Sequence, residues 1–159
     1  MGGGRASVVS EASVFEEALA LRFRVFCDEQ GVPRELERDD GDAIALHALV
    51  RSEAGEVVAT GRVVRARVDG SFAALDDEAR AGDLARVGRM AVAREARGQG
   101  LGSEVIGLLE RAARAAGLER ALLHAQLQAE RFYAARGYVR GGPEFEEAGI
   151  AHVAMVKEL

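Results

Sequence analysis

The sequence predicts an α/β fold, α+β in some classifications, in which a mixed sheet has helices on both faces. Strand-like and helix-like segments follow one another in the order β-α-β-β-β-α-β-α-β-β. Hydrophobic residues make up 48% and charged residues 30% of the chain, the balance of an ordinary globular protein. A length of 159 residues suits one domain, so we expect residues 1–159 to form a single domain with residues 1–6 as a flexible tail.

The first segments are a short strand and a long helix. A strand is expected over Ala6 to Ser10, and a helix over about Val14 to Glu29, which Gly31 and Pro33 end. The helix has apolar residues at helical spacing on one face: Val14, Ala18, Leu21 and Val25.

An acidic loop is expected over Arg34 to Asp42. Its five carboxylates are Glu35, Glu37, Asp39, Asp40 and Asp42. Two interpretations stay open: a solvated loop, or a lip that attracts a cationic substrate.

The middle of the chain predicts a hairpin and a third strand. Ala45 to Arg51 and Val57 to Val68 alternate as strands, with Ala54-Gly55 as the turn between them. Asp76 to Gly82 is expected to be a loop or a short helical turn. Ala85 to Val92 then predicts the next strand.

The last third alternates between helices and strands. Glycines at helix ends and a Gly-Gly-Pro break at 141–143 mark its boundaries. The predicted elements are a helix over Ser103 to Ala116, a strand over Arg120 to Ala125, a helix over Leu127 to Arg136, a strand over Tyr138 to Arg140 and a final strand over Ala151 to Val156.

A glycine-rich turn, Arg97-Gly98-Gln99-Gly100-Leu101-Gly102, joins the fourth predicted strand, Ala85 to Val92, to the helix over Ser103 to Ala116. Glycines let the backbone curl tightly, and the free N–H groups at a helix start attract phosphate. Arg94 and Arg97 add positive charge beside the turn. The P-loop needs a lysine before its Ser or Thr, and the dinucleotide fingerprint needs G-x-G-x-x-G, so neither pattern fits.

Composition excludes several classes of protein. A net charge of −5 and a pI near 5.3 disfavour a nucleic-acid binder. The lone Cys27 excludes an internal disulfide and a cysteine zinc cluster, and we expect no metal. No apolar run reaches about 18 residues and no signal peptide pattern begins the chain, so we expect a cytoplasmic protein that does not bind membranes.

Several ordered motifs resemble the GCN5-related N-acetyltransferase (GNAT) superfamily. Arg97 to Gly102 is similar to its acyl-CoA loop, and Phe132-Tyr133-Ala134-Ala135-Arg136-Gly137-Tyr138 to its Phe-Tyr-x-x-x-Gly-Phe signature. Phe26 to Pro33 with His47, and Phe145 to His152, resemble the ElaA-like branch. The resemblance spans about Ser13 to Leu159.

The resemblance implies the GNAT fold, with a mostly antiparallel sheet of six to seven strands that splays between the fourth and fifth strands. It also implies a binding site for acetyl-CoA. The backbone of Met90, Ala91 and Val92 would bind the pantetheine arm. The remaining implied cosubstrate residues are Arg97, Gly98, Gln99, Gly100, Leu101, Gly102, Ser103, Gln126 and Tyr133.

The resemblance implies that Tyr133 protonates the departing thiolate; the alternative is a core aromatic beside Phe132. Many relatives place a basic glutamate on the strand before the loop, but Arg86 and Arg89 are present there instead. The candidate bases are therefore His47, His152 and Glu144, since a histidine suits proton removal near neutral pH. His124 is expected to be structural, and Arg62 either faces the acceptor or is an ordinary strand residue.

The function that the resemblance implies is an N-acetyltransferase. It would move an acetyl group from acetyl-CoA to a primary amine of a small molecule or peptide, by direct attack in a ternary complex. The alternative is a noncatalytic acyl-CoA-binding or sensing module on the same fold, because fold alone does not decide chemistry. A homodimer is a further possibility.

Overall fold

The computed structural model describes residues 5–9 and 12–159, with side chains described from Phe15 onward. Its centre is one sheet with strand order β1-β2-β3-β5-β6-β8-β7, while the short β4 pairs with β3 at the side. Every neighbouring pair is antiparallel except β5 and β6, which are parallel. The strands are β1 (Arg5–Val9), β2 (Leu46–Arg51), β3 (Val57–Ala66), β4 (Phe72–Ala73), β5 (Leu84–Val92), β6 (Arg120–Gln126), β7 (Val139–Glu147) and β8 (Ile150–Glu158).

Two long helical segments and several short ones surround this sheet. The first long segment is α1 (Ala12–Arg22), which continues directly as a π-helix over Phe23–Glu29, and the second is α4 (Leu101–Ala115). The short helices are α2 (Arg34–Glu37), α3 (Gly41–Ile44) and α5 (Glu130–Ala134), with 3₁₀ turns at Arg94–Ala96 and Leu127–Ala129.

The two long helices cover opposite faces of the sheet. A Cβ added to Gly61 in β3 would lie 2.8 Å from Val105 of α4. The next residue, Arg62, instead shares the Asp42 carboxylate with Arg22 of α1. Successive residues of a strand point to opposite faces, so α1 and α4 lie on different sides. The predicted mixed, mostly antiparallel sheet with helices on both faces is therefore confirmed.

The structure corrects several predicted boundaries. Arg5 and Ala6 belong to β1 and pair with Arg51 and Val50, so the predicted tail cannot include them; Ser10 lies outside the described residues. The Gly-Gly-Pro segment at 141–143 lies within β7, where the pairing register shifts between Arg140 and Glu144. It forms a bulge in one strand, not the predicted break, because antiparallel pairing resumes on both sides.

The acidic loop is also more ordered than predicted. It contains α2 and α3, and Glu37 and Asp42 are buried whereas Glu35 and Asp40 are exposed. Arg22, itself 1% exposed, donates to both buried carboxylates. The prediction of a solvated loop is wrong for these two residues, since buried carboxylates persist when cations pair with them.

Candidate active site

A cavity of about 1220 Å³ opens where β5 and β6 separate. These parallel strands pair only at Ala85↔Ala121 and Arg86↔Leu122. Beyond that point the strands diverge, so no strand among the described residues pairs with the β6 side of residues 87–92. The cavity extends from the glycine turn before α4 to the turn between β7 and β8. The splay that the sequence predicted between its fourth and fifth strands is thus present between β5 and β6.

A bulge in β5 accompanies this divergence. Thr60 pairs with Ala91 and Arg62 with Gly88, so Gly61 alone faces both Arg89 and Met90. Arg89 has φ 54°, a left-handed conformation that is rare outside glycine. Bulges re-aim backbone groups and frequently lie beside active sites. Met90, Ala91 and Val92 all line the cavity, as the predicted pantetheine segment should.

The glycine turn forms one end of the cavity. Gly98 and Gly100 have φ of 81° and 80°, and apart from its chain neighbours no atom of the described residues lies within 4 Å of a Cβ placed on either. Gly100 is the N-cap of α4 and provides no side chain to cap it, so the first N–H groups of α4 have no partner from that residue. Leu101, Gly102 and Ser103 line the cavity as well, whereas the exposed Gln99 does not.

The arginines beside the turn are bound to the protein itself. Arg97 donates from Nε to the Val92 carbonyl at 3.0 Å and from Nη2 to Glu29 at 2.8 Å. Arg94 approaches the same Glu29 carboxylate at 3.7 Å. Arg136 donates to the Ser103 hydroxyl. Glu29 therefore partly neutralises the positive charge that the sequence predicted at this end.

Tyr133 lies in the wall of the cavity, although its ring is 8% exposed and packs edge-on against Phe132 and Tyr138. Burial raises the pKa of Tyr133 to about 12, so the hydroxyl keeps its proton at neutral pH. Within the described part of the chain, no side chain accepts a hydrogen bond from this hydroxyl. Gln126 also lines the cavity and donates to Gln30 at 2.8 Å.

The three candidate bases lie in different places. His152 is buried and lines the cavity. Its Nδ1 lies 2.7 Å from the Ile150 carbonyl oxygen and donates to it, so the neutral ring has an unprotonated Nε2.

His47 is buried against Phe15 with Nε2 3.1 Å from the Asp42 carbonyl, and it is not part of the cavity wall. Burial lowers its pKa. Glu144 is exposed, pairs with Arg140 and is also outside the wall.

Two groups in the wall were not predicted as site residues. Glu147 approaches His152 Nε2 at 3.8 Å and lies 3.1 Å from His124 Nδ1. The hydrogen bond with His124 lowers the pKa of Glu147. His124 was expected to be structural, yet it lines the cavity. Nothing local in the sequence marks either residue as part of a site. Glu147 lies in the hairpin of β7 and β8, and only the long-range pairing of β8 with β6 brings it to His124.

Two of the cavity arginines belong to a closed ionic network. Arg62 pairs with Asp39 at 2.6 Å and Asp42 at 2.7 Å, and Arg89 pairs with Glu37 at 3.2 Å and Asp39 at 3.1 Å. The acidic loop is therefore occupied by the protein's own cations. This arrangement does not favour the predicted lip for a cationic substrate.

The residues that the structure describes contain no group of three or more His, Cys, Asp or Glu side chains that could hold a metal ion. None of their helices is long and apolar enough to cross a membrane.

Comparison with known proteins agrees with this geometry. A family model described as an acetyltransferase (GNAT) domain matches residues 16–159. The uncharacterised protein YyaT of Bacillus subtilis is 36% identical over 155 residues, covering 96% of this chain and 93% of that protein. The N-acetyltransferase YjcF of the same organism, also uncharacterised, is 30% identical over 155 residues, covering 97% of this chain and 99% of YjcF. The crystal structure of Escherichia coli ElaA has a TM-score of 0.76 at 24% identity, covering 99% of this chain and 100% of ElaA.

Proposed function

The chain belongs to the GNAT acetyltransferase family, and from this premise we propose that it acetylates a primary amine of a small molecule or peptide with acetyl-CoA. The observation that carries the proposal is one cavity that joins a free strand edge, a glycine turn at a helix start and a protonated tyrosine. Each part can serve acyl transfer: the strand edge and the glycine turn can bind an acyl-CoA, and the tyrosine can donate to the leaving sulfur.

The free edge of β5 supports binding of the pantetheine arm. The amides of pantetheine can hydrogen-bond to the backbone of Met90, Ala91 and Val92 as an added strand would. Because backbone groups make these bonds, apolar side chains suffice in this segment. The glycine turn then lies where the pyrophosphate would bind, with the start of α4 supplying N–H groups.

The bulge in β5 supports stabilisation of the transition state. Attack by an amine turns the thioester carbonyl oxygen into an oxyanion, which fixed N–H donors stabilise. The left-handed Arg89 alters the direction of the peptide groups around it, including those of Gly88 and Met90 in the cavity wall. We assign the oxyanion donor to this backbone segment.

His152 is the proposed base. A lysine-like amine has a pKa of about 10.4 and reaches the site mostly as an ammonium ion. The unprotonated Nε2 of His152, directly or through water, takes a proton from the nitrogen so that its lone pair can attack the carbonyl carbon. The new C–N bond forms as the C–S bond breaks, and the second proton that the nitrogen loses passes through water to the departing sulfur, so the products are an amide and a thiol. The ionised Glu147 beside His152 stabilises the imidazolium that results.

Tyr133 is the proposed donor to the leaving sulfur. Its pKa of about 12 exceeds the pKa of about 8.5 that a free cysteine thiol has. Complete proton transfer from Tyr133 to the thiolate is therefore uphill in free energy. The hydroxyl acts mainly by donating a hydrogen bond that strengthens as negative charge develops on sulfur.

Thiol release from acetyl-CoA over a panel of amines tests the proposal, with mass spectrometry to identify the acetylated product. We expect release that depends on the amine and is stoichiometric with the product. Binding of acetyl-CoA without amine-dependent release from any member would support the noncatalytic acyl-CoA-binding module instead.

A further inference from the structure

Arg86 is a guanidinium in the cavity wall that forms no salt bridge with a carboxylate of the described residues. Its half-buried side chain lies on β5 at the point where β5 and β6 separate. Arg62 and Arg89 each pair with two carboxylates, whereas Arg86 forms no ion pair with any described residue. Its one side-chain hydrogen bond runs from Nη2 to His124 Nδ1 at 2.9 Å. A partly desolvated charge without a counterion is costly, so a bound anion at this position would be stabilised.

A carboxylate of the protein, Glu147, lies close enough to attract Arg86 but forms no direct salt bridge with it among the described residues. Glu147 Oε1 lies 3.1 Å from the same His124 Nδ1 that Arg86 approaches. One ring nitrogen can donate to Glu147 or accept from Arg86, but it cannot do both. The two charges therefore meet at one ring nitrogen without a direct ion pair between them, and both line the cavity. The wall thus presents one positive and one negative group, a few ångströms apart.

This pair of charges matches a molecule that has the opposite pair. We propose that the amine acceptor also contains a carboxylate, as a free amino acid does, and that Arg86 binds this carboxylate while Glu147 faces the ammonium group. The inference rests on the proposed acetyl transfer and narrows its acceptor to one class. Arginine suits the role because its planar guanidinium can donate two parallel hydrogen bonds to one carboxylate.

The position of the other groups agrees with this orientation. Glu147 lies between His124 and His152, so an ammonium group next to Glu147 is also next to the proposed base. The carboxylates of the acidic loop that lie in or beside the other wall, Glu37, Asp39 and Asp42, are balanced by Arg22, Arg62 and Arg89, so this wall leaves no surplus of negative charge for a second amine. A polyamine acceptor therefore fits the wall less well than an amino acid.

Matched acceptor pairs test this inference: L-amino acids and their C-terminal amides, compared by kcat/KM for thiol release. Each rate is corrected for the fraction of unprotonated amine at the assay pH, because the acid and the amide differ in amine pKa. We expect the wild type to prefer acids over amides by roughly 10- to 100-fold, the usual worth of a hydrogen-bonded charge pair. In Arg86→Gln this preference should fall toward one, and in Arg86→Lys it should be intermediate.

Arg120→Gln is the matched control. It removes an exposed guanidinium at the start of β6, away from the cavity residues His124 and Gln126 at the end of that strand. It should keep the wild-type preference. Equal use of acids and amides by the wild type, or an unchanged preference in folded Arg86→Gln, would overturn the acceptor assignment and leave acetyl transfer standing. Absence of thiol release with every amine would instead overturn the proposed function, and the acceptor assignment with it. The wild-type comparison of acids with amides decides the matter even if Arg86→Gln does not fold.

Discussion

Arg22 donates to both carboxylate oxygens of Asp42, at 2.8 and 3.2 Å, across the interface between α1 and α3. Asp42 also accepts from Arg62 at 2.7 Å and from the Asp39 backbone N–H at 3.0 Å. These bonds outweigh the desolvation of the buried carboxyl and lower its pKa to about 2. The pair thus joins the helix on one face of the sheet to the wall of the active-site cavity.

Asp42→Asn should lower the free energy of unfolding at neutral pH and make it depend less on pH in the acidic range. The pKa of Asp42 is depressed in the folded state, so its contribution is present above pH 4 and is lost as the pH falls toward 2. The shift corresponds to about 2 kcal/mol, or roughly 4 to 8 °C in melting temperature for a domain of this size. Thermal melts of both proteins between pH 7 and pH 2 measure the difference.

Asp40→Asn is the control for this experiment because it removes the same charge from an exposed neighbour. Glu37 acts in the opposite direction, since burial and the neighbouring Asp42 raise its pKa, so Asp42→Asn also relieves part of the Glu37 shift whereas Asp40→Asn leaves the Asp42 contribution in place. Equal melting curves for Asp40→Asn and Asp42→Asn would show that the Arg22–Asp42 pair contributes no net stability.

Gly100→Asp should abolish binding of acetyl-CoA. Free cosubstrate at about 100 times its dissociation constant stabilises a fold by about 2.7 kcal/mol, which should raise the melting temperature of the wild type by several degrees. The Cβ at Gly100 meets no atom within 4 Å, so the variant should fold with only the cost of a left-handed side-chain residue. Its carboxylate would lie where the pyrophosphate is expected, and the thermal shift should vanish.

Gly100→Asn separates charge from backbone strain, since it is almost isosteric with the Asp variant and neutral. We expect it to retain part of the thermal shift. A full shift in Gly100→Asp would place the pyrophosphate elsewhere.

The sequence predicted the elements of this site better than the contacts between them. The glycine turn and the β5 strand are local features, and the backbone conformations of Gly98 and Gly100 follow from their chemistry. The role of Glu37 and Asp42 could not be predicted in the same way. Their burial depends on Arg22 and Arg62, which are 15 and 20 residues away. No local pattern indicates which carboxylate of an acidic run meets a buried arginine.

The histidines show the same limit. His47 and His152 were equivalent candidates on sequence, because each lies in a strand-like segment with apolar neighbours. The sheet order places His152 opposite Gln126 of β6 in the cavity wall, and His47 opposite Arg62 on the side of α1. Only the pairing of strands that are distant in sequence distinguishes them.

His152→Gln should lower kcat/KM by roughly 10²- to 10⁴-fold if His152 removes the proton from the amine. The remaining rate should climb with pH, because the fraction of amine that is already neutral grows as the pH approaches the pKa of the acceptor's own amine. His47→Gln is the matched control: we expect a lower melting temperature and near-normal turnover of the folded protein. If His47→Gln loses activity while His152→Gln keeps it, the assignment of the base is wrong.

Tyr133→Phe should lower kcat more than it changes acetyl-CoA binding. The change removes one hydroxyl that has no side-chain hydrogen-bond partner among the described residues. It leaves the ring packed against Phe132 and Tyr138. If the hydroxyl donates to the leaving sulfur, the chemical step should slow by roughly 10²-fold or more, since that bond strengthens only as charge develops. Single-turnover rates and the thermal shift with acetyl-CoA separate the two effects.

Tyr138→Phe is an internal control of the same chemistry. Its hydroxyl donates to Glu110 at 2.9 Å, both side chains are buried, and neither lines the active-site cavity. Removing that hydroxyl leaves a buried carboxylate with Lys157 as its remaining close partner, so stability should fall by about 1 to 3 kcal/mol with little change in single-turnover rate.

The two tyrosines are five residues apart, and we expect opposite outcomes: slower chemistry at full stability for Tyr133→Phe, and lower stability at full rate for Tyr138→Phe. Unchanged single-turnover rates in Tyr133→Phe would make its hydroxyl dispensable for thiolate departure.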